Sequence, residues 1–431
     1  MTTGGGKKMG LLGASSLVVA NMVGTGLFLL PSSLASVGSI SIYGWIVAAL
    51  GASALGLVFA HLGMVEPKAG GPYAYARDHL GRFPAFQTNF LYWIANVIGN
   101  VAIAVSVTGY LAVFFPALKH PWIANLCTTG IIWLFVWVNT RDARVVGRFT
   151  AFSTVAGIFP IAFVGLLGWL WFRRDVFLAS WNPGQLSTMS AIGRSGAIAL
   201  WAFLGVESAA VSAGVIENPK RNVPLATIIG LLVSTVIYIA CCTVLMGIIP
   251  GSELRTSGAP FADAAQLMLG PWAAVVISLA AILKASGSLV GWILIVAQSA
   301  EAAAHDGMFP HRFSLTNKRG MPVQNLIITS IMMTLMLLLT TSPDVATQFA
   351  HITDATVVLM VLPYIYSIVA MWRLNREMEL SAGKIRFFIF VGVVAFLYCV
   401  SVVLGQSAEL DRKALVVLLV SAPLFALIKR K

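Results

Sequence analysis

Long apolar runs alternate with short polar stretches from Gly10 to Ile428. Twelve runs are readable, at 10–35, 41–65, 84–115, 121–139, 146–172, 190–216, 223–249, 270–302, 323–341, 347–371, 385–405 and 411–428. Most approach or exceed the roughly 20 residues that carry a helix across a bilayer. They do not alternate apolar and polar positions with period two, so a β-barrel is excluded. The pattern predicts an all-α polytopic membrane protein with twelve transmembrane helices. The polar stretches are too short for a second domain, so residues 1–431 read as one transmembrane transporter-sized unit.

Two runs are interrupted near their middle. The first carries Asn21-Met22-Val23-Gly24-Thr25-Gly26, and the sixth carries Trp201-Ala202-Phe203-Leu204-Gly205-Val206-Glu207-Ser208. If helices 1–5 (10–172) and 6–10 (190–371) are inverted repeats, with helices 11–12 (385–428) appended, the breaks fall at matching positions. Paired interruptions of this kind point to a transporter's binding site. An unwound turn frees backbone N–H and C=O groups that lipid cannot satisfy. Freed N–H groups at the start of a half-helix favour a carboxylate, and freed carbonyls favour an ammonium. An amino acid presents both on one carbon. The competing reading is that Gly24 and Gly26 only allow close helix packing.

Composition narrows the class. The sequence is 58% hydrophobic and 10% charged, whereas soluble domains carry about 25% charged residues. Mean hydropathy is +0.87. With the N-terminus inside, the inner segments hold 20 Lys and Arg residues and the outer segments 7. That bias places both termini in the cytoplasm. It also accounts for the net charge of +12 through topology and anionic lipid, without a nucleic-acid partner. Met1 to Lys8 is short and polar, and no signal-cleavage site is expected. Cys127, Cys241, Cys242 and Cys399 lie in apolar runs without metal-type spacing and read as packing residues. No metal or cofactor is implied. Trp45, Trp122 and Trp181 read as interfacial belt residues.

Several stretches carry a resemblance: NMVGTGLFLLPSSLAS (21–36), GGPYAYAR (70–77), LYWIANVIGN (91–100), LWAFLGVESAAVSAGVIENPKRNVPLAT (200–227), GSLVGW (287–292) and LPYIYS (362–367). They resemble the amino acid–polyamine–organocation superfamily. Within it they are similar to the bacterial basic amino acid/polyamine antiporters, which exchange arginine for agmatine, lysine for cadaverine or ornithine for putrescine. The resemblance implies a LeuT-like fold, with a five-plus-five inverted repeat, discontinuous helices 1 and 6 and two extra helices. It places Asn21, Met22, Thr25 and Gly26 on the substrate carboxylate, and carbonyls of Trp201 and Leu204 on the α-ammonium. It places Ala95, Asn96, Asn100, Trp292 and Thr356 around the substrate side chain. Asn96 is more like the lysine/cadaverine form. Trp201 and Trp292 fall on the family's aromatic gates, and Tyr92, Glu207 and Tyr364 on a deeper gate. Tryptophan suits a gate because its face attracts a cation and its rotamer can block a path. Gly70, Gly71 and the adjoining PYAYAR fall on a cytoplasmic loop that helps close the inner side in the family.

Three ionisable residues fall at membrane depth: Glu207, Lys284 and Asp354. A charge there costs ~2.5–3.5 kcal/mol on insertion scales and is functional by default. All three are proton-coupling or charge candidates. Lys284, Ser288 and Trp292 are spaced i, i+4, i+8 and share one helix face, where the family usually has a small residue at the first position. Either the Lys284 ammonium replaces the coupling cation that sodium-coupled relatives hold between helices 1 and 8, satisfied by carbonyls of the first break, or it forms a fixed ion pair with Asp354 or Glu207. Asp354 lies two residues before Thr356, so it either reaches the pocket or points about 200° away.

The expected function is exchange of an external cationic amino acid for its internal decarboxylated amine by alternating access, in a bacterial inner membrane, supporting acid resistance. A proton-coupled permease without obligatory exchange is the alternative. A membrane-embedded enzyme lacks any nucleophile elbow, phosphate loop or metal-spaced cluster, and a non-transporting sensor lacks a soluble signalling domain. The expected partners are small-molecule amino acids and amines and the lipid bilayer. The family is often dimeric, and composition neither supports nor denies a homodimer here.

Overall fold

A computed structural model describes residues 9–24, 26–66, 71–141, 143–317, 320–378 and 381–429. Thr25 and Gly70, both singled out from the sequence, lie outside them. Among the described residues every named element is a helix. In chain order these are α1 (Leu11–Met22), α2 (Gly26–Ala35), α3 (Ser41–Val65), α4 (Pro72–Leu80), α5 (Arg82–Leu111), α6 (Pro121–Asn139), α7 (Ala143–Leu167), α8 (Arg174–Ala179) and α9 (Thr188–Phe203). Then follow α10 (Ser208–Val211), α11 (Pro219–Ile248), α12 (Gly251–Leu254), α13 (Pro260–Leu269), α14 (Pro271–His305), α15 (Val323–Leu339), α16 (Val345–Glu377), α17 (Ala382–Leu404) and α18 (Ala408–Lys429).

Nine helical segments among the described residues are long and apolar enough to cross a membrane, and ten if α1 and α2 count as one bent span. The remaining two of the twelve runs fall short for visible reasons. The apolar helix α15 has 17 residues. The first turns of α18 carry Glu409, Asp411, Arg412 and Lys413, which shortens its apolar part. Trp122, Leu126, Leu166, Leu232, Leu339 and Leu404 are exposed large apolar side chains on the outside of the bundle. Apolar surface on this scale needs a membrane to cover it. The chain is an integral membrane protein.

Both interruptions read from the sequence are breaks in helix. Helix α1 ends at Met22 and meets the next helix at 41°. The Gly24 N–H turns to Met22 O at 2.7 Å, so the Ala20 carbonyl loses its i+4 donor. In the sixth run α9 ends at Phe203, Leu204 is extended (φ −61°, ψ 133°) and α10 starts at Ser208. Gly205 between them has φ +101°. A Cβ there would lie 3.4 Å from Asn21, so the two breaks touch at a residue without a side chain. Replacing Gly205 with alanine is expected to destabilise the protein by about 1–3 kcal/mol, the cost of a non-glycine residue in this region. Gly193→Ala, on α9 with nothing within 4 Å of a new Cβ, should be near neutral. Thermal unfolding of the two purified variants checks this.

The core centres on α5, packed along α16 and α14, while α3 runs along α11 and α9, and α1 along α11. At Gly157 of α7 an added Cβ would lie 2.2 Å from Lys284 Cβ, so α7 and α14 cross with almost no gap. This is the close approach that small residues permit. Trp45 is not a belt residue. It is 1% exposed and stacks on Tyr238 at 5.5 Å between centroids, because α3 is buried against α9 and α11. Trp122 is exposed.

Two helices lie outside the twelve apolar runs. PYAYAR begins α4, and 260–269 forms α13. Helix α13 has Pro260 at its start and Gly270 (φ +91°) just past its end, the usual start and stop signals. It caps one end of the bundle. Tyr110 donates to Phe28 O (3.1 Å) and accepts from Phe261 N–H (3.4 Å), and Ser32 donates to Ser257 O at 2.9 Å.

Candidate functional site

Two hollows meet at the breaks. The smaller, about 30 Å³, is lined by Asn21, Met22, Asn96, Gly99, Asn100, Ile103, Trp201, Leu204, Trp292 and Thr356. Eight of these ten are residues nominated for substrate from the sequence. Ala95 is fully buried and lines neither hollow. Gly26 opens α2. Against about 790 Å³ for the cavity beside it, this hollow is contracted. The larger cavity, about 790 Å³, reaches from Asn21, Tyr92, Glu207 and Trp292 to Met9, Pro72 and Tyr73 at the end of the bundle opposite α13.

The α5 residues of the small hollow share a helix face at Asn96, Gly99, Asn100 and Ile103. Asn96 Nδ2 donates to Tyr92 O at 2.7 Å, which leaves its carbonyl oxygen free to accept. Trp201 Nε1 and Asn100 Nδ2 are buried donors with no partner among the described residues. The Trp201 ring meets Phe349 edge-on at 6.2 Å. Break carbonyls, an amide oxygen, two spare donors and two indole faces suit a ligand with both a zwitterionic head and a cationic tail. The sequence alone did not single out Gly99 or Ile103. Their i+3 and i+7 spacing from Asn96 was the available signal.

The three residues nominated for a deeper gate lie together. Glu207 Oε2 accepts from Tyr364 at 3.0 Å and from Gly205 N–H at 3.2 Å, and its Oε1 accepts from Tyr92 at 3.5 Å. Glu207 is the only charged side chain among the described residues lining the large cavity. At the cavity mouth Tyr73 donates to Asp306 Oδ2 at 2.6 Å and Arg77 donates to the same oxygen at 2.9 Å. Burial first, and then Asp306, push the Tyr73 hydroxyl well above its ordinary pKa, so it stays a donor at physiological pH.

Lys284 is 1% exposed and lines neither hollow. Its ammonium donates to Ala20 O (3.2 Å), Thr154 Oγ1 (3.4 Å) and Ser288 Oγ (3.0 Å). These are neutral oxygens on α1, α7 and α14, and one is the carbonyl stripped by the first break. No ion pair of Lys284 with Glu207 or Asp354 occurs among the described residues. Asp354 is half-buried, lines neither hollow and faces Arg194 and Gln406. The 200° turn from Thr356 carries it away from the pocket. Among the described residues no group of three or more His, Cys, Asp or Glu could hold a metal ion.

Relatives place this architecture. The chain is 38% identical to the cadaverine/lysine antiporter of Escherichia coli (strain K12) over 409 residues, covering 93% of this chain and 90% of that protein. It is 37% identical to the putrescine transporter PotE of the same strain, covering 91% and 89%. It is 36% identical to PotE of Haemophilus influenzae, covering 91% and 90%. The amino acid permease profile matches residues 9–422, and the chain belongs to that family of transporters.

Proposed function

We propose that the protein is a twelve-span exchanger with a LeuT-like fold that takes up a cationic amino acid and releases its decarboxylated amine. The observation that carries this is the hollow at the meeting of the two helix breaks, which gathers eight residues nominated from sequence. The relatives named as a cadaverine/lysine antiporter and a putrescine transporter support the substrate class. Residues 10–172 and 190–371 act as the two inverted repeats, each opening with its broken helix. The bias of 20 inner against 7 outer basic residues supports a bacterial inner-membrane location with both termini cytoplasmic. The large cavity then faces the cytoplasm and α13 seals the outside. A contracted pocket beside an open cavity fits the conformation after the amino acid has left inward. Met22 and the N-terminus of α2 take the carboxylate, and the Trp201 and Leu204 carbonyls take the α-ammonium. Asn96, Asn100, Thr356 and Trp292 surround the distal cation.

Glu207 offers the outgoing amine its carboxylate. Paired with a cytoplasmic decarboxylase, each cycle consumes one internal proton, which supports acid resistance. The test is competition in proteoliposomes. Unlabelled lysine, arginine, ornithine, histidine and their amines compete against labelled lysine at pH 5 and pH 7. Lysine and cadaverine should compete best, and internal amine should stimulate uptake several-fold. Uptake indifferent to internal amine would favour the proton-coupled permease.

A further inference from the structure

Asn21 and Trp292 are the residues that line both hollows among the described residues. They therefore form the partition between the contracted pocket and the open cavity. Trp292 is an aromatic gate in the proposed reading. Asn21 is short, and a short amide holds a partition only if something fixes its rotamer. Its Nδ2 donates to Ser208 Oγ at 2.9 Å, a bond between residues 187 positions apart. Ser208 is 7% exposed, lines the large cavity and opens α10 directly after Glu207. The bond crosses where Gly205 lets the second break lie against Asn21.

We propose that Ser208 is a positioning residue that latches Asn21 across the opening between binding pocket and exit cavity. The latch ties the partition to the gate carboxylate one residue away. A cation drawing Glu207 toward it moves the start of α10 and with it the Ser208 hydroxyl, and the Asn21 amide is released. With the site empty, the bond reforms and the pocket stays shut to the cavity. This deepens the exchange reading and rests on it, because a shut partition in the empty carrier prevents slippage without a counter-substrate.

The test measures the partition without substrate. Ile103 lines the small hollow only. Ile103→Cys is placed in a chain whose four native cysteines are replaced by serine. Its reaction rate with a small cationic thiol reagent is measured on purified protein. Ser208→Ala should speed labelling about two- to tenfold, the range open to loss of one net hydrogen bond. Ser208→Thr, which keeps the hydroxyl, should stay within about twofold of the parent. Asn21→Ala should match Ser208→Ala, and the double variant should go no further; Asn21→Ala carries the test alone if Ser208→Ala does not fold. In proteoliposomes Ser208→Ala should raise amine efflux without external amino acid relative to exchange. Unchanged labelling in Ser208→Ala and Asn21→Ala, or additive effects of the two, overturns the latch. Absence of amine counterflow in the parent protein overturns the exchange reading and leaves the labelling result standing by itself.

Discussion

Lys284→Met is expected to reduce exchange at least about 100-fold. The ammonium is the shared donor for three oxygens on three helices, and methionine comes within one atom of its length without donating. A buried acceptor left without a donor costs about 1–3 kcal/mol. Only the Ser288 bond is fully buried, and the Ala20 and Thr154 bonds lie part-buried beside the large cavity; at the low end of that range the three losses come to about 3 kcal/mol, just above the ~2.7 kcal/mol that corresponds to 100-fold. The loss falls on the Ala20 carbonyl, at the break that the proposed function assigns to the substrate. Lys284→Arg should not rescue: the guanidinium fork is wider, and Gly157 leaves no slack where α7 meets α14. Initial rates of lysine uptake into cadaverine-loaded proteoliposomes, taken from pH 5 to pH 8, read this out. Wild-type rates in Lys284→Met at every pH would end any role of the ammonium in coupling. Of the two sequence readings of Lys284, its bonds to neutral oxygens favour the internal substitute for a coupling cation over the fixed ion pair.

Glu207→Gln is expected to weaken the amine more than the amino acid. Glutamine keeps one acceptor for Tyr364 and Gly205, so the turn at 204–207 should survive. What it loses is the lone charge on the cavity wall. A hydrogen bond involving a charged group contributes about 1.5–3 kcal/mol, so the half-saturating concentration of internal amine should rise about 10- to 100-fold. External lysine should shift less, because the proposed function sets its head on the break peptides. Equal shifts for both substrates would mean that Glu207 acts only as a structural brace.

The breaks were legible in the sequence because glycine, threonine and an amide are costly inside an apolar run, and because they occurred in pairs. The face Lys284–Ser288–Trp292 was legible from spacing, and Lys284 does reach Ser288. The pocket list came from resemblance in motifs, which marks positions but not directions. Asp354 shows the difference, since the turn between it and Thr356 had to be seen. Trp45 was misread because an indole in a membrane helix serves a belt or a core equally well, and only the packing of α3 decides. Helices α4 and α13 were missed because apolar run length was the criterion, although Pro260 and Gly270 mark the ends of α13. The Asn21–Ser208 bond joins residues far apart in sequence, and no local pattern announces it.

The most direct measurement is an experimental structure of the protein with lysine bound. The expected result is density for the α-carbon and its two charged groups between residues 21–26 and 201–207, with the carboxylate toward the start of α2 and the ammonium toward the Trp201 and Leu204 carbonyls. Continuous helix through either stretch, or lysine bound elsewhere with the hollow still contracted, would contradict it.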